Sequence, residues 1–242
     1  MSEIQQDILA VLSTLEIDGN NVRITEQLDR KLYLAVNQVL ERIGGKWNKK
    51  VKAHVFSIDP VSRLEAVINS GQFDPKIKTG YFPTPEKIVR QMIELLDIQP
   101  GNSVVEPSAG QGHILDLLPN NINYSIKIGE ILAENRGLLN LKKYTVDFVD
   151  FLTEQAEYDR IIQNPPFERQ QDVDHVNHAI NCLNPDGILV SVMSAGVLFR
   201  NNKKTQQFRD DVLNYAEVIK LPEGSFKESG TMVNAIIIKY TK

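Results

Sequence analysis

The sequence predicts an α/β protein: a mostly parallel, seven-stranded sheet with an antiparallel last strand, preceded by a small N-terminal α+β extension. Three observations carry that expectation. Beyond about residue 80, short apolar runs of strand length alternate with helical stretches, the pattern of a doubly wound sheet. The last two runs have only the loop from Pro222 to Met232 between them, so they should pair antiparallel. The first 75 residues carry helical apolar stripes and one short alternating run instead. Gly, Pro and Lys cluster across residues 71–81, which divides the 242-residue chain into an extension, 1–75, and a main domain, 76–242.

In chain order, Ile4, Ile8, Val11, Leu12 and Leu15 recur at helical spacing, and Asp18-Gly19-Asn20-Asn21 makes a turn. Thr25 begins a second helix with Leu28, Leu32, Val36, Val39, Leu40 and Ile43 on one stripe, and Gly44-Gly45 ends it. Residues 52–58 alternate as a short strand, and Asp59-Pro60 opens a helix that stops at Ser70-Gly71. Another helix begins after Thr84-Pro85, with proline at its start. Strands are then expected over 103–106, 124–129, 144–148, 158–163, 187–193, 217–221 and 233–240. Helices are expected over 111–118, 132–141, 170–183 and 203–214.

Composition excludes several classes. With 42% hydrophobic and 24% charged residues the chain is an ordinary globular protein. No apolar run approaches the roughly 18 residues of a membrane span, and the N-terminus lacks the basic start and apolar core of a secretory signal. One cysteine, Cys182, excludes an internal disulfide and a Cys-based zinc cluster. A cytoplasmic protein without membrane contact is expected. The net charge is −4, but residues 1–80 hold 11 Lys/Arg against 10 Asp/Glu and the remainder 16 against 21. Any nucleic-acid contact should therefore be local and lean on the N-terminal third.

Two segments point to chemistry. In Val104-Val105-Glu106-Pro107-Ser108-Ala109-Gly110-Gln111-Gly112, an apolar strand runs into a turn of small residues that lets a ligand approach the backbone, with a helix expected to follow. It is not the G-x-G-x-x-G fingerprint, since the third glycine position is Leu115. Glu130 stands at the end of the next strand, where a carboxylate can accept both ribose hydroxyls. Together they fit an adenosine-type ligand without a pyrophosphate. In the second segment, an apolar strand ends in Asn164-Pro165-Pro166-Phe167. The prolines fix φ and remove two donors, so the loop is stiff and its carbonyls stay out of a ladder. Asn164 adds an acceptor and Phe167 a flat apolar face. Such a loop can accept two hydrogen bonds from one –NH2 group while stacking the ring that carries it.

These residues resemble the class I S-adenosylmethionine-dependent methyltransferases, whose fold is Rossmann-like. Within these the chain is similar to the enzymes that modify adenine N6 in DNA, of phage or mobile-element type. The resemblance covers roughly two thirds of the chain, from about Gly80. It implies S-adenosylmethionine as cofactor and no metal. It places the cofactor on Glu106, Pro107, Ser108, Ala109, Gly110 and Gly112 and on Phe82 and Thr84 of Tyr81-Phe82-Pro83-Thr84-Pro85. Glu130, Asp150, Phe151 and Asn164 complete that set, with Asp147 a second candidate for the place of Asp150. It assigns catalysis to Asn164, Pro165, Pro166 and Phe167. The late hairpin around Leu221-Pro222-Glu223-Gly224-Ser225-Phe226 resembles that of the adenine enzymes, which puts Phe226 with Phe167 at the target base.

An exocyclic adenine amine is a poor nucleophile because its lone pair is delocalised. Hydrogen bonds from the amine to the Asn164 side chain and the Pro165 carbonyl favour a tetrahedral nitrogen and in-line attack on a sulfonium methyl. In duplex DNA the adenine must first leave the stack. The segment from Arg42 to His54 holds five Lys/Arg, no acid and the only tryptophan, which suits a nucleic-acid backbone and an unstacked base through Lys46, Trp47, Lys49 and Lys50. His175 and His178 share a helix face without a third ligand. DNA is the expected partner, with a recognition subunit or a second copy as further candidates. The same loop also fits an RNA base amine or a protein glutamine amide, and a DNA-binding subunit with a vestigial cofactor site is the non-enzymatic alternative.

Overall fold

The computed structural model describes residues 4–56, 60–72, 83–229 and 231–242. The expected division near residue 75, the end of the 52–58 strand and Phe82 lie outside the described residues.

The N-terminal unit has a core of its own. Helix α1 (Gln6–Leu12) leads into hairpin β1 (Glu16–Asp18) and β2 (Asn21–Arg23). Helix α2 (Arg30–Arg42) follows, then hairpin β3 (Lys46–Asn48) and β4 (Ala53–Val55), and helix α3 (Pro60–Ser70). The four short strands form one antiparallel sheet in the order β1-β2-β4-β3. Ile8, Leu12, Val22, Val36, Val39, Leu40, Phe56, Leu64 and Val67 pack together beneath it. α2 starts at Arg30, after the capping Asp29, rather than at Thr25. The Asp29 carboxylate accepts from the Lys31 and Leu32 backbone N–H groups, which satisfies two of the helix's orphan donors.

Helix α4 (Glu86–Leu96) opens the main domain, and six strands follow. They are β5 (Ser103–Glu106), β6 (Ser125–Ile128), β7 (Tyr158–Gln163), β8 (Leu183–Ser194), β9 (Glu217–Lys220) and β10 (Ala235–Thr241). The sheet order is β6-β5-β7-β8-β10-β9, with β5, β6, β7 and β8 parallel and β10 antiparallel to both its neighbours. This is the Rossmann-like class I methyltransferase architecture. The expected seventh strand, 144–148, is reduced to a single parallel bridge between Phe148 and Gly129 at the sheet's edge. The Phe148 ring lies over the Gly129 backbone, so closely that a Cβ there would clash with Phe148 Cε2. α4 packs on one face with Ile88, Met92, Ile162, Val190, Val192 and Ile237. On the other face lie α6 (Gln171–Asn181) and α7 (Lys203–Asp211), around Phe151, Ile161, Val173, Leu189 and Phe208. Helix α5 (Ala133–Leu141) covers the β6 edge through Leu139, which meets Ala109, Leu115 and Ile128.

One expected helix is absent. Residues 111–118 form turns and a single 3-10 turn, Leu115–Leu117. Gly110 (φ +55°) and Gly112 (φ +85°) are left-handed and Pro119 follows closely, so too few residues remain for an α-helical nucleus. The ligand turn therefore has no helix N-terminus behind it. Cys182 is buried at the end of α6, as a core residue.

Candidate active site

The strand order reverses between β6-β5 and β7, so the loops after β5 and after β7 stand side by side at the carboxyl edge of the sheet. That switch point is where open α/β sheets bind ligands. Thr84, Glu106, Ser108, Ala109, His113, Ile114 and Asn164 line a shallow cleft there. The sequence singled out five of these; His113 and Ile114 were assigned no role, because their place in the cleft depends on the turn that replaced the expected helix.

The β5 turn is held by its neighbours. Ala109 N–H donates to the Gly129 carbonyl at 3.0 Å, and Gly129 N–H to the Glu106 carbonyl at 2.9 Å. Glu130 is buried, and its two carboxylate oxygens accept from Gly110 N–H (2.6 Å) and Leu132 N–H (2.7 Å). A carboxylate oxygen accepts more than one bond, so each keeps a second direction for a ligand hydroxyl. Pro107 and Gly112 are buried within the turn.

Glu106 is the unusual group. It is 1% exposed, and among the described residues its Oε2 has no hydrogen-bond partner. Burial, reinforced by Glu130 and Asp116, pushes its pKa well above the usual carboxylate range, against a bond donated by the Leu115 backbone. His113 is shifted down by burial and by Lys142, with Asp116 opposing. The cleft floor is therefore a buried carboxyl with a spare oxygen, suited to a cationic or hydrogen-donating ligand group.

Opposite it, Asn164 is half-buried and its Nδ2 donates to Thr84 Oγ1 at 3.0 Å. Among the described residues no donor occupies Asn164 Oδ1 or the Pro165 carbonyl. Pro165 is buried, Pro166 exposed, and Phe167 half-buried against the α4-side core. Phe226 is buried in that same core. The late loop that carries it is tied across the site, since Ser229 Oγ donates to the Pro83 carbonyl at 2.6 Å.

Asp150 caps a 3-10 turn by accepting from Leu152 N–H at 3.0 Å, while the Asp147 carboxylate is taken by Ile128 N–H at 2.8 Å. Phe151 is buried against His178. Lys46, Trp47, Lys49 and Lys50 are all exposed on the β3–β4 hairpin, away from the residues that line the cleft. Trp47 is 46% exposed and leans on His54 with ring centroids 5.2 Å apart. Among the described residues no three His, Cys, Asp or Glu side chains are grouped to hold a metal, and no helix is long and apolar enough to cross a membrane.

Residues 142–242 match the family described as N-6 DNA Methylase. The chain is similar to these methylases. The type II methyltransferase M.HincII of Haemophilus influenzae is 34% identical to it over 110 residues, 40% of this chain and 19% of that protein. The methyltransferase subunit of a type I restriction-modification system from Streptococcus thermophilus superposes with a TM-score of 0.58 at 19% identity. That match covers 74% of this chain and 47% of that one. The M protein of the type I restriction enzyme EcoKI gives 0.55 at 18% identity, over 97% of this chain and 56% of that one. At those identities the structures establish the fold. The match spans about a fifth of the curated methylase's length and about half of each structural neighbour.

Proposed function

We propose that this methylase-like chain transfers a methyl group from S-adenosylmethionine to N6 of adenine in DNA. The observation that carries the reading is the state of the Asn164 amide. Its nitrogen is tied to Thr84, and among the described residues no donor occupies its oxygen or the carbonyl of the adjacent Pro165, where Asn164 lines the cleft.

The residues present fit the cofactor. Glu106 offers an unpartnered buried oxygen to a positively charged methionine end, and Thr84 lies across the cleft from it. Ser108, Ala109 and left-handed Gly110 and Gly112 keep side chains off the turn, and Glu130 and Asp150 retain acceptor capacity for ribose and adenine. Bound there, S-adenosylmethionine supplies an electrophilic methyl group. The chain's own residues do the rest by placement. Asn164 Oδ1 and the Pro165 carbonyl accept the two amine hydrogens, draw the nitrogen toward a tetrahedral shape and share the positive charge that grows on it. Phe167 stacks the extruded base and offsets part of its unstacking cost.

The β3–β4 hairpin supplies the duplex contact, with Lys46, Lys49 and Lys50 on phosphates and Trp47 as a stacking face. The family match over 142–242 supports a DNA base over an RNA base or a glutamine amide. A separate recognition subunit or a second copy completes site choice. Tritium transfer from labelled cofactor to adenine-containing DNA tests the reading; label in protein or RNA alone would overturn it.

A further inference from the structure

The N-terminal unit is joined to the main domain by a buried polar relay, not by apolar packing alone. Arg200, 3% exposed in its side chain and following the carboxyl end of β8, forks onto Glu65 of α3. Its Nη1 donates to Oε1 at 3.0 Å and its Nη2 to Oε2 at 2.6 Å. The same Nη2 donates to Asn69 Oδ1 at 2.9 Å, and Ser194 Oγ donates to that oxygen at 2.6 Å. The Asn69 backbone carbonyl also accepts from Asn234 N–H at 2.9 Å, at the start of β10. Gly196 leaves room for this fork, since a Cβ there would stand 2.7 Å from Arg200 Nε.

The relay continues toward the catalytic loop. Ser194 N–H donates to Asp172 Oδ2 at 3.0 Å, and Asp172 is a fully buried residue in the first turn of α6. That turn begins four residues after Phe167. Between them Arg169 (φ +53°) and Gln170 (φ +59°) are both left-handed, a conformation side chains tolerate only when surrounding contacts impose it. The short 3-10 turn they form, Glu168–Gln170, packs directly on α3. The sequence gives this segment no glycine to make the bend cheap.

We propose that Asn69, with Ser194 and Asp172, is the positioning device of the target-amine loop: α3 holds the Glu168–Gln170 bend and the start of α6, and so fixes where Asn164 to Phe167 present their acceptors. The proposal rests on the methyltransferase reading and extends it, because it makes the N-terminal unit part of the catalytic geometry as well as a DNA contact. A loop displaced by about 1 Å costs about a hundred-fold in rate. None of these residues is among those that line the cleft, so cofactor binding is a separable readout.

The test uses the full chain with Asn69→Ala, which removes both acceptor bonds and leaves the Arg200–Glu65 fork in place. With cofactor-titrated sites, kcat for methyl transfer to DNA should fall about a hundred-fold while the cofactor Kd stays within about two-fold. Amides of residues 164–173 should exchange with deuterium about ten-fold faster, with β5 and β7 unchanged. A purely structural role would lower the melting temperature and the fraction of active sites but leave kcat per site alone, and that result overturns the proposal. If Asn69→Ala does not fold, Ser194→Ala removes the bond to Asn69 and the acceptor of Gly196 N–H while keeping the backbone bond to Asp172, and should move kcat and exchange the same way, with Ser194→Thr restoring both; unchanged exchange in Ser194→Ala also overturns it. If the wild-type chain methylates no DNA but exchange over 164–173 still rises, the positioning device stands and the assigned reaction fails.

Discussion

Replacing Asn164 with alanine separates a catalytic role from a structural one. The side chain makes one described hydrogen bond, 3.0 Å to Thr84 Oγ1, and is half-buried, so its loss should cost about 0.5–1.5 kcal/mol of stability. For a chain of this size each kcal/mol moves the melting temperature by roughly 2–4 °C, so the variant should melt a few degrees lower and stay folded. The effect on transfer should be far larger. The amide Oδ1 matters most when the amine nitrogen turns tetrahedral and positive, and removing one such preorganised partner typically costs about 10²–10³ in kcat, or about 2.7–4 kcal/mol. Cofactor affinity should change little, because Thr84 keeps its hydroxyl and Glu106 its spare oxygen. Single-turnover transfer of tritiated methyl at saturating cofactor reads the first quantity and calorimetry the second. Asn164→Asp keeps an acceptor but removes the donor to Thr84 and adds a charge beside buried Glu106, so it too should be slow. A kcat within ten-fold of wild type for Asn164→Ala, or losses of equal size in kcat and cofactor affinity, would refute the assigned geometry.

Three further outcomes follow from the same coordinates. Gly129→Ala forces Phe148 away from a clash with the new methyl, beside Glu130, and should cost about 1–3 kcal/mol in thermal unfolding together with weaker cofactor binding; an unchanged melt would sink the close-approach argument. Lys49→Ala combined with Lys50→Ala should weaken DNA binding and reduce the slope of log K against log salt by about 2, roughly 0.9 per lost phosphate contact, as fluorescence anisotropy at several salt concentrations would show. Burial raises the Glu106 pKa, so the folded protein keeps a proton that the unfolded chain gives up near pH 4.5. Stability should therefore fall as pH rises above that value, and Glu106→Gln should flatten the fall in urea titrations from pH 4 to 8; identical slopes would count against it. Asp172, raised by burial to about 7 against backbone bonds from Ser194 and Val173 and the charge of Arg200, adds a fall of the same sign between about pH 4 and 7.

What the sequence made legible is what local chemistry dictates. β5 and β7 each centre on a pair of β-branched residues, Val104-Val105 and Ile161-Ile162, and are ended by a small-residue turn and by paired prolines, so both their bounds and the side-by-side placement of their loops could be read from pattern and the switch-point rule. The helix expected over 111–118 failed because its apolar spacing says nothing about the left-handed glycines that consume the start of the segment. The strand at 144–148 failed because an edge segment needs little ladder to hold it, and the Phe148 ring lying on Gly129 does that work instead. The basic segment was legible as charge but not as a hairpin, since β3 offers three exposed residues and no alternation to detect.

The relay from Glu65 to Asp172 lies further out of reach, and for a reason that bears on function. Its members are single polar residues in otherwise ordinary helices and loops, and Ser194 meets Asn69 across 125 positions of chain. No periodicity records such a pairing, and each member alone reads as a surface polar residue. Burial changes their energetics: a guanidinium at 3% exposure with two oxygens of one carboxylate and one amide oxygen fully engaged cannot lose a partner without leaving a charge stranded. The stranded charge arises only if Glu65 is lost, since Asn69 is a neutral acceptor beside the fork; such a joint does little for net stability compared with apolar packing, but it admits one geometry. A loop whose task is to hold two acceptors on one planar amine needs that single geometry more than it needs extra stability, and the place where the two cores meet is where the fold spends its buried polar groups.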